Sequence, residues 1–210
     1  MYMTTMDGRI AEKVIEVTNR LYGRGMNSSF SGNVSARIGK NAILITPGGV
    51  DKYILSTEQL SAIDLEGCQM NGNRPSSEYK MHTFIYKAMP EVNAIVHAHP
   101  KFSLPLVKAH GLAGLKKALL DTEAADYYVG SVGEVDKLPT GSTALAEAVA
   151  MQVKNGKMVV VMKGHGTVGI DVGESEAALS KSLGRLEELE DAAERWMLYL
   201  NLLRGEDTAR

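Results

Sequence analysis

The 210-residue chain has one cysteine, six prolines and few aromatics (6%), and neither sign of charge prevails. A lone Cys68 excludes an internal disulfide and any zinc site built from cysteines. It lies in Asp64-Leu65-Glu66-Gly67-Cys68-Gln69, a strand end and turn with no histidine close in sequence, and reads as a small hydrophobe rather than a nucleophile. The 23 Lys+Arg and 25 Asp+Glu sum to -2, without the basic excess that nucleic-acid binders carry. No run approaches the ~20 apolar residues of a membrane span. Met1 to Ile10 carries Asp7 and Arg9 where a secretory signal would be apolar. The expectation is a cytoplasmic protein with no membrane or nucleic-acid partner.

What is present is ordinary for a globular protein: 44% hydrophobic and 23% charged residues, with 21 glycines. A chain this long can bury roughly 70% of its unfolded surface around one core. No linker, repeat or composition break divides it, so residues 1–210 read as a single domain with a core of about 10–203.

Arg9 to Tyr22 places Ile10, Val14, Val17 and Leu21 at helical spacing. Asn33 to Ile38 and Ala42 to Thr46 read as a hairpin around Gly39-Lys40-Asn41. Ser61 to Leu65 reads as a strand, Ser76 to about Lys87 as a helix capped by serine, and Asn93 to His99 as a strand ended by Pro100. Phe102 to Ala109 reads as a short helix, whereas Leu115 to Leu138 mixes strand and loop signals. Ser142 to Lys154 is a helix and Met158 to Met162 a β-branched strand. From Glu174 to Leu203, Leu179, Leu183, Leu186, Leu189, Ala193, Trp196, Leu200 and Leu203 recur every three or four residues. That stripe suits a helix packed on the core or against another subunit. Strands fall mostly in pairs, which predicts an α/β fold with a mixed sheet.

The histidines carry the chemistry. His97 and His99 stand two apart in a strand, so both imidazoles leave the same face and can share one metal ion. His165 sits in Gly164-His165-Gly166, where glycines let the backbone bend and approach a ligand. Three histidines with an open fourth position describe a catalytic zinc site. His82 is one helical turn after Glu78 and could orient it or simply pack; His110 suits a helix C-terminus. Arg74-Pro75-Ser76-Ser77-Glu78 offers hydroxyls and amides at a helix start, which fits an anion site or plain capping. Ser31-Gly32-Asn33-Val34-Ser35 and Thr46-Pro47-Gly48-Gly49 add two polar, glycine-containing turns.

Together, Ser31-Gly32-Asn33-Val34-Ser35, Thr46-Pro47-Gly48-Gly49, Pro75-Ser76-Ser77-Glu78, His97-Ala98-His99 and Gly164-His165-Gly166 resemble the ordered motifs of the class II aldolase/adducin-head family, over about residues 10 to 203. The resemblance implies an α/β/α fold around a mostly antiparallel sheet, and a homotetramer with active sites at subunit interfaces. It implies Zn²⁺, or another divalent transition metal, on His97, His99, His165 and Glu78. Gly32, Asn33, Gly48, Gly49, Ser76 and Ser77 would hold a sugar phosphate, and Glu78 would be the acid/base. The activity implied is aldol cleavage of a ketose 1-phosphate, such as L-fuculose 1-phosphate, to dihydroxyacetone phosphate and an aldehyde. The alternatives within the family are a ribulose-phosphate 4-epimerase, a methylthioribulose-1-phosphate dehydratase and a sugar-acid phosphate decarboxylase.

The chain also departs from the pattern. Gly48 replaces a common hydroxyl residue, and Gly205 to Arg210 lacks the tyrosine that the aldolases carry in their tails. Ala125-Asp126-Tyr127-Tyr128 is similar to the epimerases, in which Asp126 would be a catalytic acid/base, yet Glu78 matches the aldolases. Asp126 and Tyr128 are therefore candidates for proton transfer; Tyr127 or Tyr128 could supply the missing phenol, or both could pack in a strand.

Overall fold

The computed structural model describes residues 5–207, apart from the side chains of residues 5–7, 124, 126 and 204–207. Seven strands form one sheet: β1 (Asn33–Gly39), β2 (Ala42–Ile45), β3 (Ser61–Asp64), β4 (Ala94–Ala98), β5 (Val132–Val135), β6 (Val159–Met162) and β7 (Gly166–Asp171). Their order is β3-β2-β1-β4-β7-β6-β5. Every neighbouring pair is antiparallel except β5 and β6. The fold is thus a mixed α/β single domain.

Period-two alternation divides the residues between two cores. Ala94, Val96 and Ala98 of β4 pack on one side, with Val34 and Ala36 of β1. That side is covered by α1 (Thr5–Gly23), α3 (Ser103–Leu120), α4 (Glu123–Val129) and α6 (Ser175–Asp207). Ile95, on the opposite side, joins Ile43, Ile45, Val160, Val168 and Ile170. There α2 (Tyr79–Ala88) and α5 (Thr143–Lys154) pack against each other and cover the sheet. Ile10, Val14, Val17 and Leu21 are all buried, as their spacing predicts.

Three local expectations are corrected. The serine-capped helix begins at Tyr79, not Ser76, because the Ser76 amide is drawn to the Thr46 carbonyl (3.1 Å). The short helix after Phe102 runs to Leu120 with a break at Gly111 (φ +64, ψ -176). His110 precedes that break, at the end of a helical segment as expected. The unparsed stretch Leu115 to Leu138 holds the end of α3, then α4 and β5, so Tyr127 and Tyr128 are helical. The Leu179 to Leu203 stripe is buried through Ala193 but opens towards its end, where Leu198, Tyr199, Leu202 and Leu203 are exposed. Among the described residues no helix is long and apolar enough to cross a membrane.

Glu190 of α6 ties the chain just beyond His99: its carboxylate accepts from the amides of Lys101, Phe102 (2.7 Å) and Ser103 (2.9 Å) at the start of α3. A buried acid thus satisfies amides that the helix itself cannot.

Candidate functional site

At the end of β4 the structure brings Glu78, His97, His99 and His165 together, with one ligand atom of each within 4.8 Å of the others. His97 is supplied by the strand, His99 by the residue just beyond it, His165 by the turn before β7, and Glu78 by the turn before α2. His97 Nε2 lies 3.0 Å from His99 Nε2 and 3.1 Å from Glu78 Oε2. His165 Nε2 lies 3.1 Å from Glu78 Oε1, yet that oxygen accepts no well-aligned hydrogen bond among the described residues.

Protonation makes this arrangement unusual. His97 Nδ1 is 2.9 Å from the Thr167 carbonyl, which can only accept, so this nitrogen carries the proton. In the neutral ring, Nε2 therefore turns a bare lone pair toward a second imidazole nitrogen and a carboxylate. Burial followed by the neighbouring imidazoles pushes His99 down to about 4, which favours its neutral form. Burial alone would raise the Glu78 carboxyl, but His165 and His97 outweigh it and hold it well below the usual carboxylate range. Three nitrogens and an ionised carboxylate converging on one point fit a divalent cation, and the neutral nitrogen donors suit a transition metal. The Thr167 carbonyl sets the ring orientation in the way that outer contacts do at metal sites.

Gly166 is a steric requirement of this cluster. A Cβ there would lie 2.5 Å from the Ala98 carbonyl oxygen, 2.6 Å from His97 Cε1 and 2.9 Å from His99 Cδ2. At Gly164 the cause is conformational, with φ +70 in the left-handed region.

The three polar turns also meet. Pro47 and Pro75 form an isolated antiparallel bridge, and a Cβ on Gly48 would lie 3.2 Å from the Pro75 carbonyl and 3.4 Å from the Ser77 nitrogen. Gly32, at φ +67, gives room to Asn27, whose side-chain oxygen accepts from the His99 amide (3.1 Å). Ser76 is buried and its Oγ accepts from the Glu78 amide (3.3 Å). Ser77 and Gly49 (φ +73) are exposed beside them. Asn33 is buried and its amide is engaged: Nδ2 donates to Glu78 Oε2 (3.0 Å), while Oδ1 faces His82 Nε2.

Sequence reasoning missed Lys52. It is 6% exposed, and its ammonium donates to the Phe30 carbonyl (2.9 Å) rather than to a carboxylate. Burial lowers its pKa, partly offset by the charges of Glu78 and Asp51. Asp51-Lys52 reads as a solvated pair in sequence; only the chain path, with the Lys52 amide on the Ser29 carbonyl (2.8 Å), carries it inward next to the Gly32 turn.

Tyr128 is not part of this cluster. It is 58% exposed, on a groove shared with Tyr127, Asp171 and Arg185. Arg185 links the Tyr128 carbonyl (3.0 Å) to Asp171 (2.8 Å), which pairs with Ala94 at the far end of β4 from His97. From Asp171 back to Thr167, beside the histidines, is four strand residues, about 13 Å. Asp126 lies on the same helix, α4, and its side chain is outside the described residues.

Residues 12–197 match the Class II Aldolase and Adducin N-terminal domain. The chain is 33% identical over 187 residues to a 3-oxo-tetronate 4-phosphate decarboxylase of Haemophilus influenzae, covering 87% of this chain and 84% of that protein. It is 32% identical over 200 residues to an L-fuculose phosphate aldolase of the same organism, covering 92% and 83%. Among solved structures, an L-fuculose-1-phosphate aldolase from Thermus thermophilus superposes with a TM-score of 0.80 at 26% identity, covering 94% of this chain and 97% of that one.

Proposed function

Because the chain belongs to the Class II Aldolase and Adducin N-terminal domain family, we propose that it is a zinc-dependent aldolase cleaving a ketose 1-phosphate, L-fuculose 1-phosphate or a similar sugar, to dihydroxyacetone phosphate and an aldehyde. The observation that carries this reading is the convergence of His97, His99, His165 and Glu78 on one point.

In this reading the three imidazoles and Glu78 would hold the ion, and the Glu78 carboxylate would also be the acid/base of the reaction. A divalent ion there supplies Lewis-acid stabilisation of the negative charge that develops on the ketose oxygens, worth several kcal/mol. Neutral histidine ligands leave most of the ion's charge available for that task. Glu78 moves the proton at C3 of the three-carbon fragment, from a position fixed by Asn33. The amides and hydroxyls of Gly32, Asn33, Gly48, Gly49, Ser76 and Ser77 grip the phosphate, remote from the bond that breaks. For Asn33 this leaves its second side-chain N–H, since the first is on Glu78. Lys52 adds the one buried cation beside these turns among the described residues, so the phosphate charge is met locally.

Cleavage also needs a group that takes the C4 hydroxyl proton. Tyr128 and Asp126 are the candidates, and the groove that holds Tyr128 is far enough from the histidines that it would serve the site of a neighbouring copy. We place that neighbour in a cytoplasmic homotetramer, consistent with exposed Leu198, Tyr199 and Leu202 on the last turns of α6.

The test is incubation of zinc-loaded protein with L-fuculose 1-phosphate and related ketose 1-phosphates, with dihydroxyacetone phosphate measured by a coupled reductase. Product release above a metal-stripped control is the expected result, and none with any ketose would end the aldolase reading. A second reading, decarboxylation of a phosphorylated 3-oxo sugar acid, is favoured by the 33% identical relative. It predicts carbon dioxide from such an acid and no aldol cleavage. The epimerase and dehydratase alternatives predict isomerised or dehydrated product in the same panel.

A further inference from the structure

On the side facing α2, β1 carries polar groups at every second residue: Asn33, Ser35 and Arg37. Glu78, His82 and Tyr86 face them, one helical turn apart. Two strand residues advance about 6.7 Å and four helical residues about 6 Å, so the two rows stay in step over three pairs. Asn33 contacts Glu78 (3.0 Å) and His82; Ser35 contacts His82 (2.7 Å) and Tyr86 (2.9 Å). The Arg37 guanidinium closes the row over the Tyr86 ring, 4.8 Å from its centroid. Asn33, Ser35, Glu78, His82 and Tyr86 are all buried, with Ser35 and His82 at 0% exposure.

The direction of each hydrogen bond follows from the carboxylate. Ionised Glu78 only accepts, so the Asn33 group on it is the N–H, and Oδ1 points to His82. That oxygen also only accepts, so His82 Nε2 carries the proton. His82 is neutral in this fully buried position, where burial first and His97 second push it down to about 3. Its Nδ1 is therefore bare and accepts the Ser35 hydroxyl, whose oxygen accepts the Tyr86 hydroxyl in turn. Donors run one way, from Tyr86 through Ser35, His82 and Asn33 to Glu78. His97 is fixed in the opposite tautomer by the Thr167 carbonyl.

We propose that His82 is a positioning residue: as the Nε2–H tautomer it pins the Asn33 amide with its N–H on Glu78 Oε2, and so sets the Glu78 carboxylate among the three imidazoles. The proposal rests on Glu78 being the acid/base of the aldolase reading. It concerns orientation, so its signature lies in kcat and in a tautomer rather than in substrate affinity.

The experiment pairs His82→Leu with His82→Gln in the zinc-loaded protein. Glutamine can place an amide N–H where His82 Nε2 stood; leucine offers no donor. With L-fuculose 1-phosphate, His82→Leu should lose roughly 10–100-fold in kcat with KM within about threefold, the usual range for contacts behind metal ligands. His82→Gln should recover most of the loss. Equal losses in the two variants, or a rise in KM alone, would overturn the proposal. Independently of activity, ¹⁵N NMR of histidine-labelled wild type should show His82 protonated at Nε2 and bare at Nδ1; an Nδ1–H tautomer refutes it. If His82→Leu does not fold, Ser35→Ala and Tyr86→Phe interrupt the same chain one and two links away. Each should leave His82 in the Nε2–H form, because the Asn33 oxygen that fixes it is untouched; a switch to Nδ1–H in either would mean that Ser35 rather than Asn33 sets the tautomer, and would overturn the proposal. Should no ketose phosphate be cleaved while His82 is the Nε2–H tautomer, the aldolase reading fails and the relay stands.

Discussion

Replacing Gly166 by alanine tests whether the histidine cluster depends on a missing side chain. The added Cβ would meet His97 Cε1 at 2.6 Å and the Ala98 carbonyl at 2.5 Å, where ordinary contact needs about 3.5 Å. One of the two must retreat by roughly 1 Å, and the carbonyl is locked in the β4–β7 ladder through the Ala98↔Thr167 pair. The ring is the softer partner, although its Nδ1 bond to Thr167 resists. Overpacking of this kind costs about 1–3 kcal/mol, or a melting shift of about 2–12 °C for a chain of this size. The larger effect should be on metal, because moving His97 by 1 Å also disturbs its approach to His99. Zinc affinity, read by competition with a chromogenic chelator, should fall about 10–100-fold, and catalysis with it. A Gly166→Ala protein that melts at the wild-type temperature and holds zinc equally well would refute the packing argument. The φ of Gly166 is not in the left-handed region, so backbone strain cannot be invoked in its place.

Lys52→Met keeps the buried stem but removes the ammonium, so KM for a phosphorylated ketose should rise roughly 10–150-fold, the worth of a charged hydrogen bond, with kcat little changed. An unchanged KM would separate Lys52 from the phosphate. Gly184→Ala, in α6 with open space around its Cβ, should stabilise by about 0.5–1 kcal/mol and raise the melting temperature. Because His82 is held near 3 when folded and near 6.5 when unfolded, its contribution is complete above pH 6.5 and is lost as pH falls towards 3. Metal-free wild type should therefore lose about 1.4 kcal/mol more per pH unit across that window than metal-free His82→Gln, measured by urea unfolding; parallel curves would contradict a neutral buried ring.

Much of the sheet is legible in the sequence because strands announce themselves by alternation. Asn33 to Ile38, Ala42 to Thr46 and Asn93 to His99 lie within a residue or two of β1, β2 and β4. The same alternation alone puts His97 and His99 on one side. His165 joins them through a fold-dependent return of the chain at β7, which spacing cannot give. Helix α4 escapes a sequence reading because seven residues are too few to show a period, and its tyrosines imitate a strand. Lys52 escapes it because a charged residue beside Asp51 reads as solvated, and burial is a property of the path between Ser29 and Phe30. His82 can be paired with Glu78 along the helix; its partners Asn33 and Ser35 lie more than forty residues away and need the β1–α2 contact.

The interleaved rows of β1 and α2 also act as a vernier on the assembly of the domain. If α2 docked one turn out of place, Asn33 would face His82 and Tyr86, Ser35 would face Tyr86 alone, and Glu78 would lose Asn33, His97 and His165 together. Leaving a carboxylate unpaired in that interior costs several kcal/mol, more than any gain from the shifted apolar contacts of so short a helix. The helix therefore has one place to lie, and the acid it presents arrives at the histidines in register. Substitutions along the rows should be tolerated in facing pairs far better than singly, since each side chain there is the other's address.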